Sequence, residues 1–203
     1  MLGNRAFVAF ALAMVGMFTL ENQLYLLLPD GAREATGWDG AAGIVFLVGT
    51  VANLALQLRI TKRLKSRGNR ARWIAVGLAV MGFAFLPPAF AAGVVPVLVS
   101  ALLLYLGIMI ASPFVMELIP RFGRPGLTGT YFGIFYVVSG VAAALGNTAV
   151  GWAMDTGESG GHTWLPWVCC ALFGLASAGG VGWLYRRGAL PVHTDPVRER
   201  SSA

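Results

Sequence analysis

The chain has 203 residues, 57% of them hydrophobic and 12% charged, where soluble domains carry about 45–50% apolar and about 25% charged residues. That composition excludes a soluble single domain and points to an all-α, polytopic membrane protein. The net charge of +6 comes from 15 Lys and Arg against 9 Asp and Glu. Adjacent Cys169 and Cys170 inside an apolar run, with His162 and His193 outside the runs, supply neither a disulfide framework nor a metal-ligand set. No cofactor and no metal is expected.

Six apolar runs follow one another, at 6–28, 41–58, 73–92, 97–116, 128–154 and 164–185. Each is close to the ~20 residues that cross a bilayer core of about 30 Å as a helix. Runs such as 97–106 lack the apolar–polar alternation of a barrel strand. The runs define a six-helix bundle over 1–187, and 188–203 form a short, polar, proline-interrupted tail expected to be disordered on the cytoplasmic side. The first run holds Glu21, Asn22 and Gln23 and has no small-residue cleavage site after a short apolar core. It is read as a helix that stays, not as a signal peptide.

Polar side chains inside a bilayer usually face a bundle interior or a water-filled path, so their placement carries the functional signal. The first helix has Thr19, Asn22 and Gln23 at i, i+3 and i+4, one face, with Glu21 beside it. The second has Thr50, Asn53 and Gln57 on one stripe, and the third has no amide, hydroxyl or charge. Tyr105 and Ser112, followed by Pro113, mark the fourth; Tyr136, Ser139 and Asn147 share a stripe of the fifth; the sixth has only Ser177 in its middle. The third and sixth helices therefore read as lipid-facing. Polar, polar, apolar, used twice, is the order of an inverted 3+3 repeat around a midplane cavity.

Asn53, Gln57 and Asn147 serve either as interhelical hydrogen-bond glue, worth about 0.6–2 kcal/mol each, or as cavity lining. Tyr105 and Tyr136 are either cavity groups or packing aromatics. Glu21 lies 15 residues beyond Ala6, about 22 Å along a helix, and is too short to snorkel easily. It is expected to be a proton or cationic-substrate site, because intramembrane carboxylates mark such paths. Glu117, beside Arg121 and Arg124, is expected to form an interfacial ion pair.

Fourteen of the fifteen Lys and Arg fall on one side of this topology, and Arg33 alone falls on the other. Basic residues near helix ends stay in the cytoplasm, so both termini are expected there, in a cell (inner) membrane. Seven of the fourteen crowd into 59–72, where contact with anionic lipid headgroups is the natural secondary role. No folded soluble module accompanies that loop, so no nucleic acid is expected as a partner.

Three stretches carry a resemblance. The loop 59–72 has Arg67, Gly68, Asn69 and Arg70 at its core, with Arg63 before them; the fifth helix runs from Gly129-Thr-Tyr-Phe-Gly133 through Gly140, Gly146 and Gly151 to Asp155; and Asn22-Gln23-Leu-Tyr-Leu-Leu-Leu-Pro29 closes the first helix. In these the chain resembles the C-terminal six-helix half of a major facilitator superfamily transporter of the bacterial drug/proton antiporter type. The resemblance implies that the first, second, fourth and fifth helices line a cavity and that the third and sixth stand outside. It implies proton-coupled export of a small molecule by alternating access, with no enzymatic step, and a site drawn from Glu21, Asn22, Gln23, Asn53, Gln57, Tyr105, Tyr136 and Asn147.

The acidic residue that the family often places just before the basic core is absent, so its latch is not implied. Gly146-Asn147 stands where many members have Gly-Pro. A complete member has two six-helix halves, so the implied partner is a missing N-terminal half, which the polar start at 1–5 favours, or a second copy in a parallel homodimer. Three other readings of a six-helix chain remain. A rhomboid-type enzyme needs a Gly-x-Ser-Gly serine paired with a membrane histidine, but Ser139-Gly140 follows Val137-Val138 and no histidine lies within a run; an aquaporin-like channel needs Asn-Pro-Ala, and no Asn-Pro occurs. An accessory membrane subunit needs no motif.

Overall fold

The computed structural model describes residues 5–65, 69–122 and 126–191. Among them every regular element is a helix. Six stretches are long and apolar enough to cross a membrane: Arg5–Thr36, Ala41–Lys65, Arg70–Phe90, Val94–Phe122, Thr128–Gly160 and Leu165–Arg186. They coincide with the six apolar runs, and the helices continue past them into polar sequence, because helix hydrogen bonding does not stop where hydropathy does.

The first span is broken into α1 (Arg5–Ala13), α2 (Val15–Gln23) and α3 (Leu27–Thr36). The second break has a local cause. Pro29 has no N–H to offer the Tyr25 carbonyl and its ring crowds that carbonyl, so the chain turns over 24–26 and restarts at Leu27. The first break, at Met14, leaves the early N–H groups of α2 without partners in their own helix. Ser177, from the sixth span, supplies one: its Oγ accepts the Gly16 N–H at 3.0 Å.

The second span is α4 (Ala41–Lys65). The third is α5 (Arg70–Phe83) with a short α6 (Leu86–Phe90), which Pro87 and Pro88 open. The fourth is α7 (Val94–Leu118), tightening into a 3-10 turn over Ile119–Phe122; the fifth is α8 (Thr128–Gly160); the sixth is α9 (Leu165–Arg186). Gly188, with φ +64, turns the chain after α9, and Leu190 is buried. The rest of the expected tail, 192–203, lies outside the described residues.

Lipid gives apolar helix faces no reason to leave it, so membrane helices associate where small residues let backbones approach. Gly16 on α2 packs against Phe173 and Ser177 on α9, and Gly107 on α7 against Gly77 and Met81 on α5. Gly146 on α8 receives Thr19 of α2, and Gly49 on α4 receives the Tyr105 ring of α7. Gly82 and Gly174 bring α5 onto α9. A Cβ on Gly77 would stand 2.7 Å from the Ala111 Cβ, and one on Gly82 only 2.9 Å from the Leu175 nitrogen. Exchange the first three spans for the last three, and the set maps onto itself. First-on-sixth becomes fourth-on-third, first-on-fifth becomes fourth-on-second, and third-on-sixth is unchanged. Equivalent spans are an odd number of crossings apart and run in opposite directions, which is the inverted 3+3 arrangement.

The two apolar spans are not loose at the edge of these six helices. α5 packs between α7 and α9 and touches α2, and its Ile74, Leu78 and Met81 are fully buried. The second and fifth spans leave the most surface uncovered: Leu54 and Leu58 on α4 are 78% and 81% exposed, and Val137 and Leu145 on α8 are each 68% exposed. A helix built of Gly, Ala and Met can take neighbours on several sides at close range, whereas α4 and α8 carry branched and aromatic residues outward.

Gly82→Ala and Gly77→Ala are expected to cost about 1–3 kcal/mol by overpacking, lowering the melting temperature of the purified chain in detergent. Gly140→Ala, where a Cβ meets nothing within 4 Å, is expected not to lower it.

Candidate functional site

The polar residues of the first span divide into two stripes. Thr19 and Gln23 are fully buried and face α8. Thr19 Oγ1 donates to the Val15 carbonyl at 3.1 Å. Gln23 Nε2 donates to the Thr19 carbonyl at 3.2 Å and to Asn147 Oδ1 at 2.9 Å, joining α2 to α8 beside the Gly146 crossing. Both partners are acceptors, which fixes the amide orientation. Gln23 Oε1 is buried with no hydrogen-bond partner, a condition that ordinarily costs about 1–3 kcal/mol.

Asn22, grouped with Thr19 and Gln23 by spacing, is half-buried and turns elsewhere: its Nδ2 donates to the Phe18 carbonyl at 2.8 Å. It shares the second stripe with Phe18 and Glu21, at i, i+3 and i+4. Glu21 on this stripe is half-buried and makes no ion pair or hydrogen bond among the described residues. Its nearest polar company along the chain is Asn22 and, one turn on, Tyr25, which stacks on Phe46 of α4 at 5.6 Å.

On the second, fourth and fifth spans the expected site residues part company. Tyr105 lies on Gly49 with Thr50 in hydrogen-bonding reach of its hydroxyl, so the fourth and second spans meet through a polar pair at the crossing equivalent to Gln23–Asn147. Asn53 is half-buried and Gln57 exposed, and neither side chain is bonded to another described residue. Tyr136 is 52% exposed, stacks on Phe132, meets Phe135 edge-on, and directs its hydroxyl at Met116 Sδ, 3.9 Å away.

A cleft of about 420 Å³ opens at the end of the bundle away from the basic loops, between the first, second and fifth spans. Gln23 and Asn147 line it together with Tyr25, Asp30, Arg33 and Phe46. Spacing arguments missed these last four. The available signal was Arg33, the one basic residue on its side of the topology, which the charge count treated only as the exception.

At the opposite end, Glu117 of α7 pairs with Lys65 Nζ of α4 at 2.5 Å and Arg70 Nε of α5 at 2.9 Å. The expected ion pair forms, but with bases from the preceding loop and not with Arg121. Arg124, expected beside it, lies outside the described residues, as do Arg67 and Gly68 of the basic core. Arg63 stands on the last turns of α4. Asn69, at φ +53, caps α5 by accepting the Arg72 N–H and donates to the Tyr185 hydroxyl at 2.9 Å, tying this loop to α9. The start of α1 reaches the same end, where Phe7 meets Phe122 and Tyr131 edge-on at 5.6 and 4.9 Å.

Two proteins named multidrug resistance protein MdtH, from Yersinia pestis and Yersinia pseudotuberculosis, are each 25% identical to this chain over 186 residues, 92% of this chain and 46% of the relative. This chain resembles half of a major facilitator superfamily transporter. It spans about half the length of the curated relatives it matches. No family model and no solved structure matches it. The Gln23–Asn147 bond is the one side-chain-to-side-chain hydrogen bond between α2 and α8 among the described residues.

A double-mutant cycle on Gln23→Leu and Asn147→Leu, read by unfolding in lipid–detergent bicelles, is expected to give a coupling energy of about 0.6–1.7 kcal/mol. A value near zero would mean that the bond does not join the helices.

Proposed function

We propose that the chain is one half of a secondary active transporter that exports a small molecule against proton entry by alternating access. The observation that carries this reading is Glu21, a carboxylate within a spanning helix, half-buried and with no described partner, on a stripe beside the Gln23–Asn147 pair. A structural carboxylate in lipid would be paired; an unpaired one is suited to exchanging a proton or meeting a cation. Asn22, Gln23, Asn147 and the Thr50–Tyr105 pair supply neutral hydrogen-bonding groups for a substrate near it, and Asn53, Gln57 and Tyr136 extend the polar lining toward the second half. The relatives' name, multidrug resistance protein, agrees with export of small compounds.

In this reading the basic end is cytoplasmic, because Lys and Arg near helix ends are retained there, and both termini lie in the cytoplasm of a cell whose inner membrane holds the protein. Lys65, Arg70 and Glu117 clamp α4, α5 and α7 at that end, and the remaining bases meet anionic headgroups. The cavity is completed by six more helices, supplied by an N-terminal half or by a second copy.

In proteoliposomes holding the chain assembled with its second half and an entrapped pH dye, added ethidium is expected to speed collapse of an imposed pH gradient. Glu21→Gln should cut this substrate-dependent proton flux at least tenfold, and an unchanged flux in that variant would end the proton-site assignment. For orientation, a cysteine at Asp39 in a background lacking Cys169 and Cys170 is expected to react with a membrane-impermeant maleimide in intact cells. A cysteine at Arg187 is expected to react only after lysis.

A further inference from the structure

The outer cleft has features that a proton path alone does not use. Gln23 is among its lining residues, its Nε2 committed to Thr19 and Asn147 while the buried Oε1 has no partner. A buried acceptor left without a partner on a lining residue calls for a hydrogen-bond donor from the cleft side. On α3, which also lines it, stand two opposite charges one turn apart, Asp30 and Arg33; both are exposed and neither is paired with the other or with any described residue. Arg33 is also the only Lys or Arg at this end among the described residues, where Glu34, Asp39, Asp155 and Glu158 are all acidic. An anionic group drawn to this end therefore has a single place to bind. The remaining walls include Phe46 and Met154.

We propose that this cleft binds a small zwitterion with an N–H donor between its charges, the pattern of a dipeptide. The carboxylate meets Arg33 and the ammonium meets Asp30. The peptide N–H donates to Gln23 Oε1, and an apolar side chain lies on Phe46 and Met154. The inference rests on the reading of Gln23 and Asn147 as part of a substrate site, and it adds the substrate's charge pattern and two residues that recognise it.

Alanyl-phenylalanine, its C-terminal amide and its N-acetyl form, titrated into the purified full chain in detergent by calorimetry, separate the possibilities. The free dipeptide is expected to bind at least tenfold more tightly than either singly charged derivative. Asp30→Asn should erase its advantage over the N-acetyl form, and Arg33→Gln its advantage over the amide. Combining Asp30→Arg with Arg33→Asp should restore a preference for the zwitterion. Gln23→Leu should weaken all three probes together. Equal affinity for the three, or binding of none, overturns the proposal. The ethidium-driven proton flux reads transport independently: dipeptide binding with no flux would remove the transport reading and leave this one, and flux with no dipeptide binding would do the reverse.

Discussion

Six helices in a bilayer are held together by shape, because lipid is as good a solvent for leucine as another helix is. The five close crossings at Gly16, Gly49, Gly82–Gly174, Gly107 and Gly146 meet that constraint, and the rest of the fold is arranged around them. At Gly16 the crossing has a second role. The break at Met14 leaves N–H groups that hydrocarbon cannot satisfy, and the backbone of α9 comes close enough at that point for Ser177 to accept one. The broken first span thus depends on the sixth. Its second break, set by Pro29, ends α2 at Gln23, which places that residue on the last turn of a helix, packed against α8 where the cleft begins.

The near-symmetry of the crossings also gives the polar residues their arrangement. First-on-fifth and fourth-on-second are equivalent crossings, and each pairs a glycine with a polar group from the facing helix: Gly146 with Thr19, Gly49 with Tyr105. Beside each lies a hydrogen-bonded pair, Gln23–Asn147 and Thr50–Tyr105. The two pairs differ in kind, amide with amide and hydroxyl with phenol. A repeat that has diverged in this way keeps its packing small residues and changes its chemistry.

Much of this was legible in the residues. Hydropathy placed all six spans, and the charge count gathered the basic loops that the Lys65–Glu117–Arg70 cluster and the Asn69–Tyr185 bond draw to one end of the bundle. What spacing could not tell was which neighbour a face meets. Asn22 has the right period to join Thr19 and Gln23, yet a short amide can bond back to the carbonyl four residues earlier, and Asn22 does so. Ser177 looked like a lone hydroxyl on a lipid-facing helix, because the missing partner is a backbone N–H freed by a break in another span. Glu117 took Lys65 and Arg70 over Arg121 because ends of α4 and α5 converge on it in space, which sequence distance conceals.

The polar groups within the spans can be sorted by whether six helices are enough for them. Thr19, Asn22, Ser139 and Thr148 each bond a carbonyl four residues back, which removes most of the cost of carrying them in lipid without any neighbour. Gln23, Asn147, Thr50 and Tyr105 are paired across helices. Glu21, Asn53 and Gln57 have neither remedy among the described residues, and all three belong to the first two spans. A carboxylate facing hydrocarbon costs about 2.5–3.5 kcal/mol even on insertion scales, and unpaired amides add to that. The surface that carries them is therefore ill-matched to lipid and well matched to water or to another polypeptide. That mismatch is a physical support, independent of any resemblance, for the proposed role of Glu21, Asn53 and Gln57.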